Sequence, residues 1–380
     1  PLTEPEVEAF TQHLNQWDAF VTFVVKELGQ RTLREETREA LLTALLEARY
    51  EILHALGAPK RGEDPVRRLF VSSWENLRPI ADEIARELPG GEALRLVTFL
   101  AAGDALVAFD DIGPSFGVEV SADGLRRMAR MVGPTAPEDP LEYTPYVDPR
   151  LRFFLGFGSP LEAEEPAPSG SRWPWPSRAW AAAAGGESRW KGWILSDRSA
   201  VGEYLGKVGK LIREVAEAKV QSEDLDGARA ALLTRLVPAV AWQESCWRQF
   251  HERKGTITYL RSSRGSVGIL QINERVWRGF YETDELRWNI EYNARAGADI
   301  LLRYLAIVLR KEAELSDGAI PATARAVYAA YNGGPGQLRR YRSGKASKRL
   351  LQVIDGLFGQ KFDTSPKDME AEIARCLVGG

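Results

Sequence analysis

Apolar positions recur at intervals of three and four residues through much of this 380-residue chain, the spacing that lines one face of an α-helix. Val7, Phe10, Leu14, Trp17, Val21, Val24, Val25 and Leu28 predict a helix over 5–28, and Leu33, Leu41, Leu45, Leu46, Ile52, Leu53 and Leu56 predict a second over 33–56. Two more are expected near 65–88 and 92–109, punctuated by Gly29, by Gly57 with Pro59, and by the run PGG at 89–91. A short helix near 121–132 and a helix-like segment at 150–156 follow. From about 199 the helical period returns, and a long helix is expected over 226–250 with Pro238 inside it, where the missing N–H should kink the axis.

Between these two helical regions the pattern lapses. GSPLEAEEPAPSGSRWPWPSR is dominated by Pro, Gly, Ser and Glu, the composition of a linker. The expected organisation is therefore mainly α: an N-terminal helical domain over 1–158, a linker over 159–177, and a second domain over 178–380. The most membrane-like run, LRLVTFLAAGDALVAF, has Arg95 at its start and Asp104 inside it, so a buried core helix is the better reading.

Charge sharpens the division. The net charge of −3 hides 18 Lys+Arg against 29 Asp+Glu in residues 1–177, a balance of −11, and 32 against 24 in residues 178–380, a balance of +8. The basic half suits a polyanionic partner, whether nucleic acid, anionic lipid or an acidic cell-wall polymer, and equally suits an Arg-rich solvated surface. Cys246 and Cys376 cannot form a multi-ligand metal site by themselves, and His13, His54 and His251 lack metal-ligand spacing. No metal or organic cofactor is expected. A disulfide between the two cysteines is expected only if the protein is exported. Nine of the eleven Trp residues fall between 173 and 288, which fits either core packing or stacking on sugar rings.

One carboxylate stands out against this background. In AVAWQESCWRQF, counting 100° per residue places Glu244 on a face with Val240, Ala241, Trp247 and Arg248. An ionised carboxylate in such a setting is costly unless it is paired, here with Arg248 one turn on, or kept protonated for use. A carboxyl kept protonated in this way, with a raised pKa, would make the protein an enzyme that uses Glu244 as a proton donor.

Three segments then follow in order: ES at 244–245, GSVGILQIN at 265–273 and AVYAAYNGGPG at 326–336, with NIEYNARAGADILLRYL at 289–305 between the last two. In these residues the chain resembles the lytic transglycosylases of the Slt type, a lysozyme-like family that cleaves peptidoglycan, over about 226–345. It departs from the family pattern at Ile269-Leu270, at Asn273, and in a longer interval after Glu244, with HERKGTITYLR as the expected insertion. The resemblance implies a lysozyme-like catalytic domain, predominantly helical with some β structure. Glu244 would be the single acid/base, acting first as acid and then as base toward the C6 hydroxyl of N-acetylmuramic acid, which leaves a 1,6-anhydro end. Ser245, Gln271, Tyr331 and Asn332 would orient the Glu or the sugar, and Gly268 would let the backbone approach the glycan.

Hydrolytic glycosidases usually carry a second carboxylate. None lies within the motifs, although Asp284, Glu285 and Asp299 are close in sequence. A hydrolytic muramidase using Asp284 or Asp299 is therefore a rival reading, as is an inactive glycan-binding scaffold. The expected partner is peptidoglycan glycan strands, with no nucleic acid, and a cell-wall protein could engage the acidic domain. Such a substrate places the protein in the periplasm or cell envelope. The chain opens PLTEPEVEAF without an initiator Met, so any export signal or anchor is expected to lie outside it.

Overall fold

The structure is a computed structural model that describes residues 3–57, 65–108, 121–157, 192–195, 197–253, 255–309, 319–338 and 347–378. The expected linker at 159–177, and with it the SRWPWPSRAW run, lies outside the described residues. The protein is mainly α. It divides into two compact units, Pro1–Glu164 with Arg278–Phe280, and Glu165–Trp277 with Tyr281–Gly380.

The first unit contains α1 (Glu4–Gly29), α2 (Glu35–Gly57), α3 (Pro65–Glu87), α4 (Gly90–Ala108), α5 (Ala122–Val132) and α6 (Pro149–Phe154). These bounds follow the hydrophobic periodicity closely. The Glu6 carboxylate accepts the Thr3 N–H at 2.7 Å, satisfying a donor that the first turn leaves without a helical partner. From Trp17 to Gly29, α1 is buried on every side by the helices around it, including its polar residues Asp18, Thr22, Lys26 and Glu27. Asp18, completely buried, is held by Arg49 Nε at 2.9 Å and Arg278 Nε at 2.8 Å. Both guanidinium groups also donate to Thr22 Oγ1, at 3.0 and 2.9 Å, and Arg49 donates to the Arg278 carbonyl at 2.8 Å. Burial alone would raise the Asp18 pKa, but the two arginines outweigh it and hold the carboxyl at about 2.

The second unit is built on α7 (Val201–Ser222), α8 (Gly227–Ser245) and α10 (Ile290–Leu309), which pack against one another, with α9 (Thr283–Trp288) preceding α10 and α11 (Ile320–Gly333) beside it. The long helix expected over 226–250 stops at Ser245, because Cys246 and Trp247 turn left-handed, with φ of 52° and 61°. Trp247 and Arg248 therefore leave the face of Glu244, and His251 lies in a strand, not on that helix.

A left-handed turn without glycine is strained and persists only when its surroundings fix it. Here they do. The Cys246 N–H returns to the Trp242 carbonyl at 3.1 Å, and the Trp247 N–H reaches further back, to the Ala241 carbonyl at 3.3 Å. Its buried indole donates to the Pro238 carbonyl at 2.9 Å, and Tyr204 Oη donates to the Trp247 carbonyl at 2.7 Å. Cys246 is bonded through its sulfur to Cys376, with 6.1 Å between the Cα atoms. That disulfide ties the end of α8 to the C-terminal helix α14 (Pro366–Val378), reached through α12 (Lys348–Leu351), a π-helical stretch Gln352–Phe358 and α13 (Gly359–Asp363).

The segment anticipated as an insertion, HERKGTITYLR, is a β-hairpin. β1 (Phe250–Arg253) pairs antiparallel with β2 (Thr256–Tyr259), and Gly255 at φ 78° supplies the turn. A second antiparallel pair, β3 (Ser266–Val267) and β4 (Ile272–Asn273), brackets residues 268–271.

Candidate active site

Glu244 occupies the last turn of α8, and the strained helix end keeps that turn in place. Its carboxyl faces α11. Tyr328 Oη donates to Glu244 Oε1 at 2.8 Å, and the Asn332 side chain makes a further hydrogen bond to the carboxyl. Tyr328 and Asn332 are one helical turn apart, so one face of α11 presents both. Gln243 hydrogen-bonds the Tyr328 hydroxyl. The Tyr328 ring is fixed by Phe358, stacked at 4.1 Å between centroids with 14° between planes.

The electrostatics follow from the enclosure. Burial raises the Glu244 pKa, and the hydrogen bonds from Tyr328 and Asn332 and the charge of Lys361 offset only part of that rise, leaving it at about 7. The Arg248 pairing considered from the sequence is not made: Arg248 Nε donates to the Ser245 carbonyl at 3.2 Å. Among the described residues Glu244 forms no ion pair. Tyr328 stays neutral, its pKa pushed well above the usual value by burial and by Glu244.

The loop between β3 and β4 is the second component. Ser245, buried, places Oγ 2.7 Å from the Ile269 carbonyl and 3.0 Å from that of Ala241, and accepts the Arg248 N–H at 3.1 Å. Tyr331 Oη donates to the Leu270 carbonyl. Gln271, left-handed at φ 48°, donates from Nε2 to the Gly268 carbonyl at 2.8 Å. Gly268 itself has φ 78°, and a Cβ there would collide with Asn293 and Gln249. Its glycine is thus required by the packing beneath the loop. Ser245, Gly268, Gln271 and Tyr331 together shape the loop beside Glu244, while Asn332, which is exposed, reaches the carboxyl itself.

Two fully buried amides that the sequence reading did not single out hold the loop from below. Asn293 Oδ1 accepts the Leu270 N–H at 2.9 Å, and its Nδ2 donates to the carbonyls of Val267 at 3.0 Å and Leu286 at 2.9 Å. Gln249 Oε1 accepts the Ile269 N–H at 2.7 Å, and its Nε2 donates to the Leu286 and Arg287 carbonyls at 3.0 and 2.9 Å. Gly297 on α10 allows Leu270 to pack against that helix, since a Cβ at 297 would strike its side chain. A polar Asn on the apolar face that contains Ile290, Ala294 and Leu301 was the available signal for Asn293.

The two carboxylates considered as second catalytic groups are otherwise engaged. Asp299 is paired with Lys219 at 2.7 Å and accepts from Tyr281 Oη at 2.8 Å; burial would raise its pKa, but Lys219 and Tyr281 hold it below the usual value. Asp284 is exposed, with Arg287 at 3.4 Å. Among the described residues, no group of three or more His, Cys, Asp or Glu is arranged to hold a metal ion. Of the described Trp residues in the second unit, Trp242, Trp247 and Trp277 are buried.

Tyr328→Phe removes a hydrogen bond made to the ionised form of Glu244. The Glu244 pKa should rise further above 7, and activity should fall by about tenfold, less than the roughly 10²–10⁴-fold that an acid–base group itself contributes, because Tyr328 acts only through Glu244. A pH–activity profile with the same alkaline limb as wild type would show that the contact is incidental.

Residues 226–352, a third of the chain, match the family model described as Transglycosylase SLT domain. No curated protein and no solved structure matches the chain.

Proposed function

From a transglycosylase SLT domain at residues 226–352, of a family that acts on peptidoglycan, we propose that this protein is a lytic transglycosylase that cleaves the MurNAc–GlcNAc β-1,4 bond and leaves 1,6-anhydro-MurNAc ends. The observation that carries the reading is Glu244: an enclosed carboxyl with a pKa of about 7, hydrogen-bonded by neutral donors, with no carboxylate partner among the described residues.

In the first step the Glu244 carboxyl gives its proton to the glycosidic oxygen as the bond from C1 to that oxygen breaks. In the second, the resulting carboxylate takes the proton of the MurNAc C6 hydroxyl as O6 bonds to C1. The carboxyl is regenerated, and no water is consumed. One carboxylate suffices because the nucleophile is part of the substrate, held by its own ring at high effective concentration. A pKa near the working pH suits a group that must act as acid and then as base. The engagement of Asp299 with Lys219, and the exposure of Asp284, favour this reading over a hydrolytic muramidase.

A peptidoglycan substrate supports a location in the bacterial cell envelope, and the Cys246–Cys376 disulfide suits an oxidising compartment. The acidic first unit is proposed to engage a cell-wall protein there. The test is digestion of purified peptidoglycan followed by borohydride treatment. Anhydro ends lack a hemiacetal and resist reduction, as this reading expects. Reducible MurNAc ends would make the protein a muramidase, and binding to sacculi without fragment release would make it a scaffold.

A further inference from the structure

The segment matched by the family model ends at residue 352, yet the chain past that point packs against the two helices that meet at Glu244. The π-helical stretch Gln352–Phe358 and α13 both lie against α8 and α11, and π-helical geometry is rare and occurs frequently at functional sites. The stretch ends on Phe358, which is completely buried and stacked on Tyr328 with 4.1 Å between ring centres and 14° between planes. Among the described residues it is the one aromatic ring stacked on Tyr328.

Phe358 is itself braced. The Phe362 ring lies 6.2 Å from it, and Arg235 of α8 donates to the Phe362 carbonyl at 3.1 Å with its guanidinium 4.5 Å from the Phe362 ring centre. Further on, Arg213 of α7 pairs with Glu370 of α14 at 2.9 Å, and the disulfide joins Cys376 of α14 to Cys246, two residues after Glu244. The tail thus returns to the end of α8 that carries the acid.

The stack bears on the Tyr328 hydroxyl. That group stands at the far end of a long side chain, so a modest swing about the Cα–Cβ bond takes it out of hydrogen-bond range. In place, Tyr328 Oη is 2.8 Å from Glu244 Oε1. A flat ring lying parallel against one face of Tyr328 blocks the swing, whereas an aliphatic side chain fills the space without offering a flat face.

We propose that Phe358 is a positioning residue of the active site: its ring keeps the Tyr328 hydroxyl on the Glu244 carboxyl while that carboxyl gives up its proton and takes one back. Phe358 touches no reacting atom and acts through Tyr328. The working site then extends beyond the matched segment. The inference rests on the catalytic role proposed for Glu244.

The test is Phe358→Leu, made in wild type and in Tyr328→Phe. In wild type kcat should fall about fivefold, the worth of one hydrogen bond, with KM within about twofold. The alkaline limb of the pH profile should move up by about half a unit, because a hydrogen bond to the charged form is lost. In the Tyr328→Phe background the same change should alter neither. The other groups acting on Glu244 are Asn332 of α11 and Lys361 of α13, and Gln243 and Tyr331 act on Tyr328. An effect carried by Lys361, or a general loosening of the fold, would persist in Tyr328→Phe and would overturn the inference. So would an unchanged alkaline limb, or a rise in KM with kcat preserved. If Phe358→Leu does not fold, Phe358→Met, whose flexible side chain adapts to irregular space, is read by the same outcomes.

A second measurement does not depend on turnover. The pH titration of the 13C-labelled Glu244 carboxyl, identified by its loss in Glu244→Gln, should shift upward by about half a unit in Phe358→Leu and by nothing further when Tyr328→Phe is already present. If wild type releases no fragments but this pattern is seen, the positioning role stands and the catalytic reading fails. If fragments are released but the pattern is absent, the reverse holds.

Discussion

Glu244→Gln should abolish fragment release from peptidoglycan and at the same time make the protein more stable at alkaline pH. General acid–base groups contribute roughly 10²–10⁴-fold, and Glu244 is asked to serve in both steps, so a loss of at least about 10³-fold is expected. The stability effect has the opposite sign. Enclosure raises the carboxyl from 4.5 to about 7. A carboxyl with a raised folded pKa favours the fold below its unfolded value of 4.5, and this contribution is lost as pH rises through about 7. Above that pH the folded protein holds an enclosed carboxylate, at a cost on the order of 3 kcal/mol. Glutamine has no such charge, keeps the shape and can still meet Tyr328. Urea unfolding at pH 5 and pH 8.5 should therefore show little difference at the lower pH and a more stable variant at the higher, by about 2–3 kcal/mol. Equal stability at both would mean that the carboxyl is solvated and that its role as a proton donor near neutral pH loses its physical basis.

The largest loss of stability is expected at Arg278→Met. Asp18 is fully buried, and Arg278 supplies one of its two ion pairs together with hydrogen bonds to Thr22 Oγ1 and, at 2.8 Å, to the Thr144 carbonyl. Removing one partner of a buried charge leaves the other uncompensated, which costs about 3–5 kcal/mol. The Asp18 pKa of about 2, against 3.8 unperturbed, means that its stabilising contribution is complete above 3.8 and lost as pH falls through about 2. With Arg278 gone the folded pKa rises, so acid unfolding of the first unit should begin at higher pH. Thermal melts followed by circular dichroism between pH 2 and pH 7 would show this. A melting temperature within about 2 °C of wild type at pH 7, against the several degrees expected for a loss of this size, would mean that Arg49 alone suffices for Asp18.

Much of the fold was legible because its helices announce themselves locally. The first four helices begin and end within about two residues of the periodic apolar runs, since burial of one face and the Gly or Pro punctuation act within each segment. The end of α8 was not legible. Cys246 and Trp247 are ordinary in sequence, and their left-handed turn is imposed by distant partners, Cys376 and Tyr204. For the same reason nothing near residue 278 shows that Arg278–Phe280 belongs with the first unit: the cause is Asp18, on α1.

The site divides in the same way. Glu244, Ser245, Gly268, Gln271, Tyr331 and Asn332 were found from ordered motifs, and the structure brings them together. Motif spacing does not reveal which tyrosine of AVYAAYN meets the Glu244 carboxyl. Tyr331 turns to the Leu270 carbonyl and Tyr328 to Glu244. The helical period offered a clue, because residues 328 and 332 share a face. Gln249 and Asn293 act by satisfying buried backbone groups, and that need arises only once the loop is folded above them. Phe358 lies beyond the motifs altogether, and only the folding of the segment past residue 352 stacks its ring on Tyr328.

Under the proposed reaction, the mass of the released fragments records the fate of the glycosidic bond. Digestion of purified peptidoglycan by wild type, analysed by mass spectrometry beside Glu244→Gln, should give muropeptides lighter by one water than their hydrolytic counterparts, absent with the variant. Fragments carrying the full water would contradict intramolecular attack by the C6 hydroxyl, and light fragments released equally by the variant would remove Glu244 from the chemistry.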